Sequence, residues 1–223
     1  MHGHKEWVRY AVFNSTDNLI ASCSNDQTVL LWQIGKDEPL LYMYGHEHVV
    51  ERVTFANPIA KSCIHEAKWN KEASASKKEE EKVGDKTMDE IIKESKDRLA
   101  NRSSIKSENN TESQDNKIAN IEYIISGGRD KTVRIWSCQT AAQLMVLIGH
   151  DNWVRDMCFH HSGKYLYTSS DDKTLRVWDL STGKVTSKFS PHDHFVTSVA
   201  AHPTYLCVTT CSVDSSVRVW ECK

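Results

Sequence analysis

The chain has 223 residues and a formal net charge of −2, from 28 basic and 30 acidic side chains. This balance gives no indication of a nucleic-acid-binding surface, and no apolar run approaches the length that crosses a membrane. Because the N-terminal residues also lack the apolar core of a signal peptide, we expect an intracellular soluble protein without nucleic-acid or membrane partners.

A four-part pattern recurs along the chain. In each copy a histidine is followed by a hydroxyl residue, then an aspartate four residues later, then a tryptophan six residues after the aspartate. Successive copies are 42 residues apart, except that 104 residues separate Trp32 from Trp136. The four sets are His4, Ser22, Asp26 and Trp32; His46, Ser126, Asp130 and Trp136; His150, Thr168, Asp172 and Trp178; and His192, Thr210, Asp214 and Trp220.

The copy from Gly149 to Asp179 shows the local structure most completely. After its Gly-His pair come three short segments rich in β-branched and aromatic residues, separated by turn residues, which is typical of strands. A period of 40 to 45 residues with Gly-His and Trp-Asp signals is typical of WD40 repeats, in which four strands form one blade of a β-propeller. The sequence therefore predicts an all-β fold, a WD40 β-propeller with four repeats present.

In chain order, the first repeat spans residues 3–44, with strands beginning near Trp7, at Leu19–Ser24 and at 28–33, and an outer strand near 40–44. The second spans 45–148 and is interrupted by a long insertion. The third spans 149–190, with an outer strand near Val185–Phe189. The fourth spans 191–223 and lacks an outer strand, so we expect a partial propeller.

The insertion covers about residues 59–120 and contains 13 basic and 13 acidic side chains. So polar a segment buries too little apolar area to offset the entropy of ordering it, and we expect it to be largely disordered. Residues 87–99 alone show helical periodicity. They are interpreted as a transient helix, with a partner-binding helix as the alternative.

The missing outer strand indicates an open structure, because no residue run before Gly3 can supply it. Open blades expose apolar faces and strand edges. We expect the four repeats to be part of a larger propeller, a truncated product or an isoform that needs partners for solubility. An open arc, a strained small ring and an oligomer that completes the missing blades all stay open.

The recurring quartet is expected to form a buried hydrogen-bond relay from histidine to aspartate and, through the hydroxyl, to the tryptophan indole. Each such bond contributes about 1 kcal/mol, and an unsatisfied buried partner costs about 1 to 3 kcal/mol. A hidden Ser-His-Asp catalytic site is disfavoured, since a nucleophile would not recur four times at one period. The seven cysteines form no C-x-x-C pair and are interpreted as reduced core residues, so we expect no disulfide framework and no metal.

One end of the blades is the predicted interaction face. The loop before the first strand and the turn between the second and third strands emerge at the same end, and they carry aromatic and cationic side chains suited to binding. Packing residues and solvated loop charges are the alternative interpretations of these side chains. The predicted face contains Trp7, Arg9, His48, Arg129, Trp153, Arg155 and Lys173.

Segments outside the generic repeat pattern, including SCSNDQTV, GHEHVVE, GHDNWVR, DDKTLRVWD and VWEC, resemble the C-terminal repeats of the lissencephaly-protein family. Members of that family regulate dynein and form the non-catalytic subunit of platelet-activating-factor acetylhydrolase Ib. The resemblance covers all four repeats outside the insertion. The family's dimerisation motif, coiled coil and first three blades have no counterpart in this sequence.

The resemblance implies a non-enzymatic platform, without cofactors, that binds the cytoplasmic dynein motor domain through Arg9, Arg129, Trp153 and Lys173. It also implies binding of the acetylhydrolase catalytic subunits and dynein adaptor coiled coils, and a place in the cytoplasm, on the cytoskeleton, at the centrosome and at the spindle. The alternative is another WD40 scaffold or substrate-receptor adaptor. An enzyme is disfavoured, because no phosphate loop, metal-ligand cluster or carboxylate pair is visible.

Overall fold

The computed structural model of the protein describes residues 1–68 and 122–221. These residues form four antiparallel sheets, one for each repeat, and each sheet is a blade in which consecutive strands pair. The strands are β1 (Val8–Phe13), β2 (Leu19–Ser24), β3 (Val29–Gln33) and β4 (Leu41–Met43) in blade 1; β5 (Val50–Phe55), β6 (Tyr123–Gly128), β7 (Thr132–Ser137) and β8 (Gln143–Ile148) in blade 2; β9 (Val154–Phe159), β10 (Tyr165–Ser170), β11 (Leu175–Asp179) and β12 (Lys184–Phe189) in blade 3; and β13 (Val196–Ala201), β14 (Cys207–Ser212) and β15 (Val217–Glu221) in blade 4.

The predicted all-β propeller architecture is confirmed, and blade 4 has three strands where the others have four. The first strands of successive blades lie side by side, in the order β1, β5, β9 and β13. Apolar clusters fill the seams between blades, and the largest includes Ile125, Ile135 and Leu147 of blade 2 with Leu166 and Trp178 of blade 3.

Position within the arc decides whether a repeat residue is buried. The first residue of the third strand is fully buried in blade 1 (Val29) and blade 2 (Val133), and 4% exposed in blade 3 (Leu175). Its counterpart in blade 4, Val217, is 67% exposed. Within the described residues, the outward face of blade 4 has no neighbouring blade against it.

A row of polar contacts crosses the seams near the arc's inner edge. Its four members each lie six residues after a relay histidine: Tyr10, Arg52, Asp156 and Ser198. Arg52 stacks on the Tyr10 ring, with its guanidinium carbon 3.7 Å from the ring centre, and its Nε lies 2.8 Å from Asp156 Oδ1. The buried Asp156 carboxylate also accepts a 2.6 Å hydrogen bond from the Ser198 hydroxyl. One contact row therefore connects all four blades.

The prediction of disorder from residue 59 is wrong for the first part of the insertion. Residues 58–68 form a helix, α1, whose side chains Ala60, Ile64 and Ala67 are buried in the cluster between blades 2 and 3. Asn57 caps the helix by accepting a 2.7 Å hydrogen bond from the Ala60 amide. The apolar spacing of three and four residues supplies the burial that the mean composition conceals. The remainder of the insertion, with the periodic stretch 87–99, lies outside the described residues.

Helix α1 lies at the end of the blades opposite to the predicted interaction face. It follows the last residue of β5 and contacts the turn between β9 and β10. A Cβ placed on Gly163 in that turn would come within 2.5 Å of the Ile59 side chain, and this glycine has a φ of +68°. The glycine therefore permits both the turn conformation and the close approach of the helix.

Candidate partner-binding face

Each blade contains a hydrogen-bonded relay of the predicted composition. In blade 3, His150 Nδ1 lies 2.7 Å from Asp172 Oδ2, and its Nε2 lies 2.7 Å from the Thr168 hydroxyl, to which Trp178 donates at 2.8 Å. The corresponding distances in the other blades are 2.9, 2.7 and 2.7 Å for His4, Ser22, Asp26 and Trp32; 2.7, 2.7 and 2.8 Å for His46, Ser126, Asp130 and Trp136; and 2.9, 2.8 and 3.0 Å for His192, Thr210, Asp214 and Trp220.

The relay is consistent with an ionised aspartate and a neutral histidine. Burial alone would raise the pKa of Asp130, but the hydrogen bond and charge of His46 and the Thr132 hydroxyl together lower it to about 2. Burial lowers the pKa of His150 despite the opposing effect of Asp172. In this state the indole donates to the hydroxyl, the hydroxyl donates to imidazole Nε2, and Nδ1–H donates to the carboxylate. All donors are used within the blade, which gives the quartet a structural role.

The relay aspartate also joins the two segments that form one end of the blade. Asp172 accepts from the amide of Asp151, just before the first strand, and from the Thr174 amide in the turn before the third. A backbone hydrogen bond from Asp171 N to Trp153 O holds the same two segments together at 3.0 Å. Equivalent backbone bonds occur in the other blades, from Asn25 to Trp7, from Arg129 to Val49 and from Val213 to Phe195.

Trp153 is the centre of an aromatic and cationic cluster at the seam between blades 2 and 3. The Arg129 guanidinium carbon lies 4.2 Å from the indole ring centre, and that of Arg155 lies 5.0 Å from it. The His48 ring lies 6.3 Å away at a tilt of 39°. Trp153 itself is half-buried. The structure thus brings together four of the seven predicted residues, two from each blade.

Acidic side chains hold the two arginines. Glu51 accepts from Arg129 Nε at 2.5 Å and lies 3.7 Å from Arg155 NH1. Asp171 accepts two hydrogen bonds from Arg155, at 2.8 and 2.7 Å, in the bidentate arrangement that fixes a guanidinium plane. The pair is reversed between blades, because the first strand carries the acid in blade 2 and the arginine in blade 3.

The remaining predicted residues lie apart from this cluster. Trp7 and Arg9 are on blade 1, where Trp7 is 76% exposed and Arg9 Nε donates to Asn25 Oδ1 at 2.6 Å. Lys173 is exposed at the tip of the blade 3 turn with a φ of +68°. The packing alternative therefore describes Trp153 in part but not Trp7, which projects into solvent.

Sequence reasoning missed the two acids, Glu51 and Asp171. A signal for them was present, because the repeat arithmetic places Arg9, Glu51 and Arg155 at one repeat position, and Asn25, Arg129 and Asp171 at another. Two opposite charges at paired positions of one blade indicate an ion pair. The cross-seam contact of Glu51 with Arg155 could not be found this way, since it depends on the spacing between blades.

This arrangement can bind a surface, but it contains no reactive group held free of structural hydrogen bonds. Within the two described ranges, no group of three or more metal-ligating side chains is present. In the same ranges no helix is long and apolar enough to span a membrane. An aromatic ring flanked by fixed guanidiniums has the composition that dominates protein-protein interfaces.

Comparison with known proteins identifies several curated relatives. The chain is 33% identical over 169 residues to the nuclear distribution protein PAC1 of Ajellomyces capsulatus, and 32% identical over 168 residues to PAC1-1 of Uncinocarpus reesii. It is 28% identical over 163 residues to the nuclear distribution protein nudF of Emericella nidulans. These alignments cover 74%, 75% and 73% of this chain and 28%, 28% and 27% of the relatives, so the chain spans about a quarter of their length.

A family model agrees with the repeat assignment. The model described as WD domain, G-beta repeat matches residues 1–33, 110–137, 141–179 and 183–221. The matches confirm the family resemblance drawn from the motifs. Since the matched ranges cover more than half of the chain, the protein belongs to the WD40 repeat family.

Proposed function

We propose that the protein is a non-enzymatic platform that binds the cytoplasmic dynein motor domain and so regulates microtubule-based transport, nuclear positioning and spindle function. The observation that carries the proposal is the clamped Trp153, a half-buried indole held between Arg129 and Arg155. The relatives' name, nuclear distribution protein, supports a role in positioning nuclei. The family resemblance supplies the motor domain as the partner.

The clamp favours binding because it lowers the entropy cost of association. A free indole and two free arginines would each lose rotamer freedom on contact, whereas here the guanidiniums are already fixed by Glu51 and Asp171. Trp7 and Arg9 on blade 1 and Lys173 on blade 3 extend the proposed face to either side. A catalytic role has no support, since the histidines, aspartates and hydroxyls that could act on a substrate are all used in the relays.

Binding of the parent chain to purified dynein motor domain tests the proposal. Trp153→Ala should weaken binding by about 30-fold, the effect of losing an interface residue worth about 2 kcal/mol. Tyr205→Ala is the matched control, because Tyr205 is 72% exposed in a turn at the opposite end of blade 4. A folded parent that does not bind, or a Trp153→Ala variant that binds as the parent does, would refute the proposal.

The same face would serve the acetylhydrolase catalytic subunits and dynein adaptor coiled coils, which would then compete with the motor domain. We propose the cytoplasm, the cytoskeleton, the centrosome and the spindle as its locations. The second candidate function is another WD40 scaffold, a substrate-receptor adaptor. It is favoured only by the generic relay, which any such protein needs, and it would leave the clamped Trp153 without a partner.

A further inference from the structure

Two lysines occupy the same unusual backbone position in neighbouring blades. Lys131 follows the relay aspartate of blade 2 and Lys173 that of blade 3, with φ values of 67° and 68°. Both side chains are exposed. This left-handed conformation points each lysine from the tip of its turn, and each turn also carries a member of the Trp153 cluster, Arg129 or Asp171.

The other charges of these two turns are already matched. Asp130 is bound by His46 and lies 3.6 Å from Arg134, while Asp172 is bound by His150 and lies 3.7 Å from Arg176. The seam arginines are matched in the same way by Glu51 and Asp171.

Within residues 1–68 and 122–221, by contrast, neither Lys131 nor Lys173 has a carboxylate oxygen within 4.0 Å. The two ammonium groups are therefore the uncompensated charges of these turns.

The exposed acids that begin the blades do not fill this role. Asp151 of blade 3 lies 3.2 Å from Arg176 and 3.7 Å from Lys188 on the outer strand, so its carboxylate faces the outer edge of the blade. Glu47 holds the equivalent position in blade 2. The turn tips beside Trp153 are left with positive charge.

We infer that Lys131 acts with Lys173 as a pair of cations, one on each side of the clamped Trp153, and that together they bind carboxylates on an acidic protein surface. The inference rests on the proposed function, because it assigns the chemistry of the partner to the same face. It adds Lys131 to the binding residues and separates two roles. The arginines position the indole, and the lysines attract and pair with acids.

The fold itself provides a neutral substitute for each lysine. Blade 1 carries Gln27 at the same turn position, with a φ of 68°. Lys131→Gln and Lys173→Gln therefore remove charge while keeping a side chain that this turn accepts. Lys184→Gln is the matched control, because this exposed lysine begins β12 at the opposite end of blade 3.

Dissociation constants for two probes, the purified dynein motor domain and a poly-L-glutamate peptide, decide the matter. We expect each turn variant to weaken binding of both probes by about three- to tenfold and to lower the dependence on salt, with a larger effect for the double variant. The control should match the parent. Thermal unfolding midpoints of all variants should agree, which excludes misfolding as the cause.

The outcomes separate the two proposals. If the parent binds the motor domain and Lys131→Gln binds it equally well, the inference is overturned and the proposed function stands. If the parent does not bind the motor domain, the proposed function fails and the peptide decides the inference. Loss of peptide binding in Lys131→Gln then supports the cation pair, and unchanged or absent peptide binding overturns it.

Discussion

Arg52 and Asp156 lie at the same position of successive blades and form an ion pair across the seam, with Arg52 Nε 2.8 Å from Asp156 Oδ1. The pair is part of a longer row, since Arg52 stacks on Tyr10 and Asp156 accepts from Ser198. The blades are thus connected by polar contacts at their inner edge as well as by apolar packing, and the row makes specific demands on each member.

Asp156→Ala should destabilise the fold by about 3 kcal/mol, because it leaves Arg52 and the Ser198 hydroxyl without their shared acceptor. Urea unfolding measures the change. Arg52→Met in the Asp156→Ala background should cost less than the two single effects added together, since the partners are coupled. Strict additivity would show that the two residues do not interact.

Thr168→Val tests the relay at nearly constant side-chain volume. The valine cannot donate to His150 or accept from Trp178, so we expect a loss of about 2 kcal/mol in the free energy of unfolding. Thr210→Val in blade 4 is the comparison, because its partner Trp220 is 37% exposed and can bond to water instead. An equal loss at both positions would contradict a role for burial.

Much of the fold could be predicted from sequence because the relay is periodic. Once His150 and Trp178 are recognised, the same spacing locates the other three sets, and the strands between them follow. Helix α1 was missed although Asn57 and Pro58 are a typical helix start. The polar composition of the whole insertion obscured the short apolar stripe in its first eleven residues. Seam contacts such as that of Arg52 with Asp156 could not be predicted, because they require the distance between blades.

Two isoleucines of α1 provide a matched test of that correction. Ile64 is 1% exposed and Ile59 is 51% exposed on the same helix. Ile64→Ala should cost about 2 to 4 kcal/mol in the free energy of unfolding, whereas Ile59→Ala should cost well under 1 kcal/mol. Chemical denaturation of both variants checks the difference, and equal stabilities would show that the helix is not docked.

Arg129→Lys tests whether the indole clamp depends on a planar group or only on charge. Lysine keeps the positive charge but cannot stack a flat guanidinium on Trp153. We expect this variant to bind the motor domain about fivefold more weakly than the parent, which corresponds to about 1 kcal/mol of lost stacking. Binding equal to the parent's would show that charge alone is sufficient.

Stability should fall on acidification in two ranges. Folding lowers the pKa of His150, so the stability it contributes is complete above the unfolded value of 6.5 and declines as the pH falls below it. Folding also lowers the pKa of Asp130 from 3.8 to about 2, so that contribution, roughly 2 kcal/mol, is lost between these values. Thermal midpoints measured from pH 8 to pH 2 should show both declines. A flat profile between pH 7 and pH 5 would contradict the first.

Nearly identical repeats face a problem of identity, because any blade could in principle dock beside any other. The row of Tyr10, Arg52, Asp156 and Ser198 places a different chemical group at one shared position of each blade. A cation can follow an aromatic ring and an acid can follow a cation, but two copies of Arg52 side by side would repel. Each seam therefore identifies its correct neighbour, and the order of the blades is encoded in side-chain chemistry as well as in the connectivity of the chain.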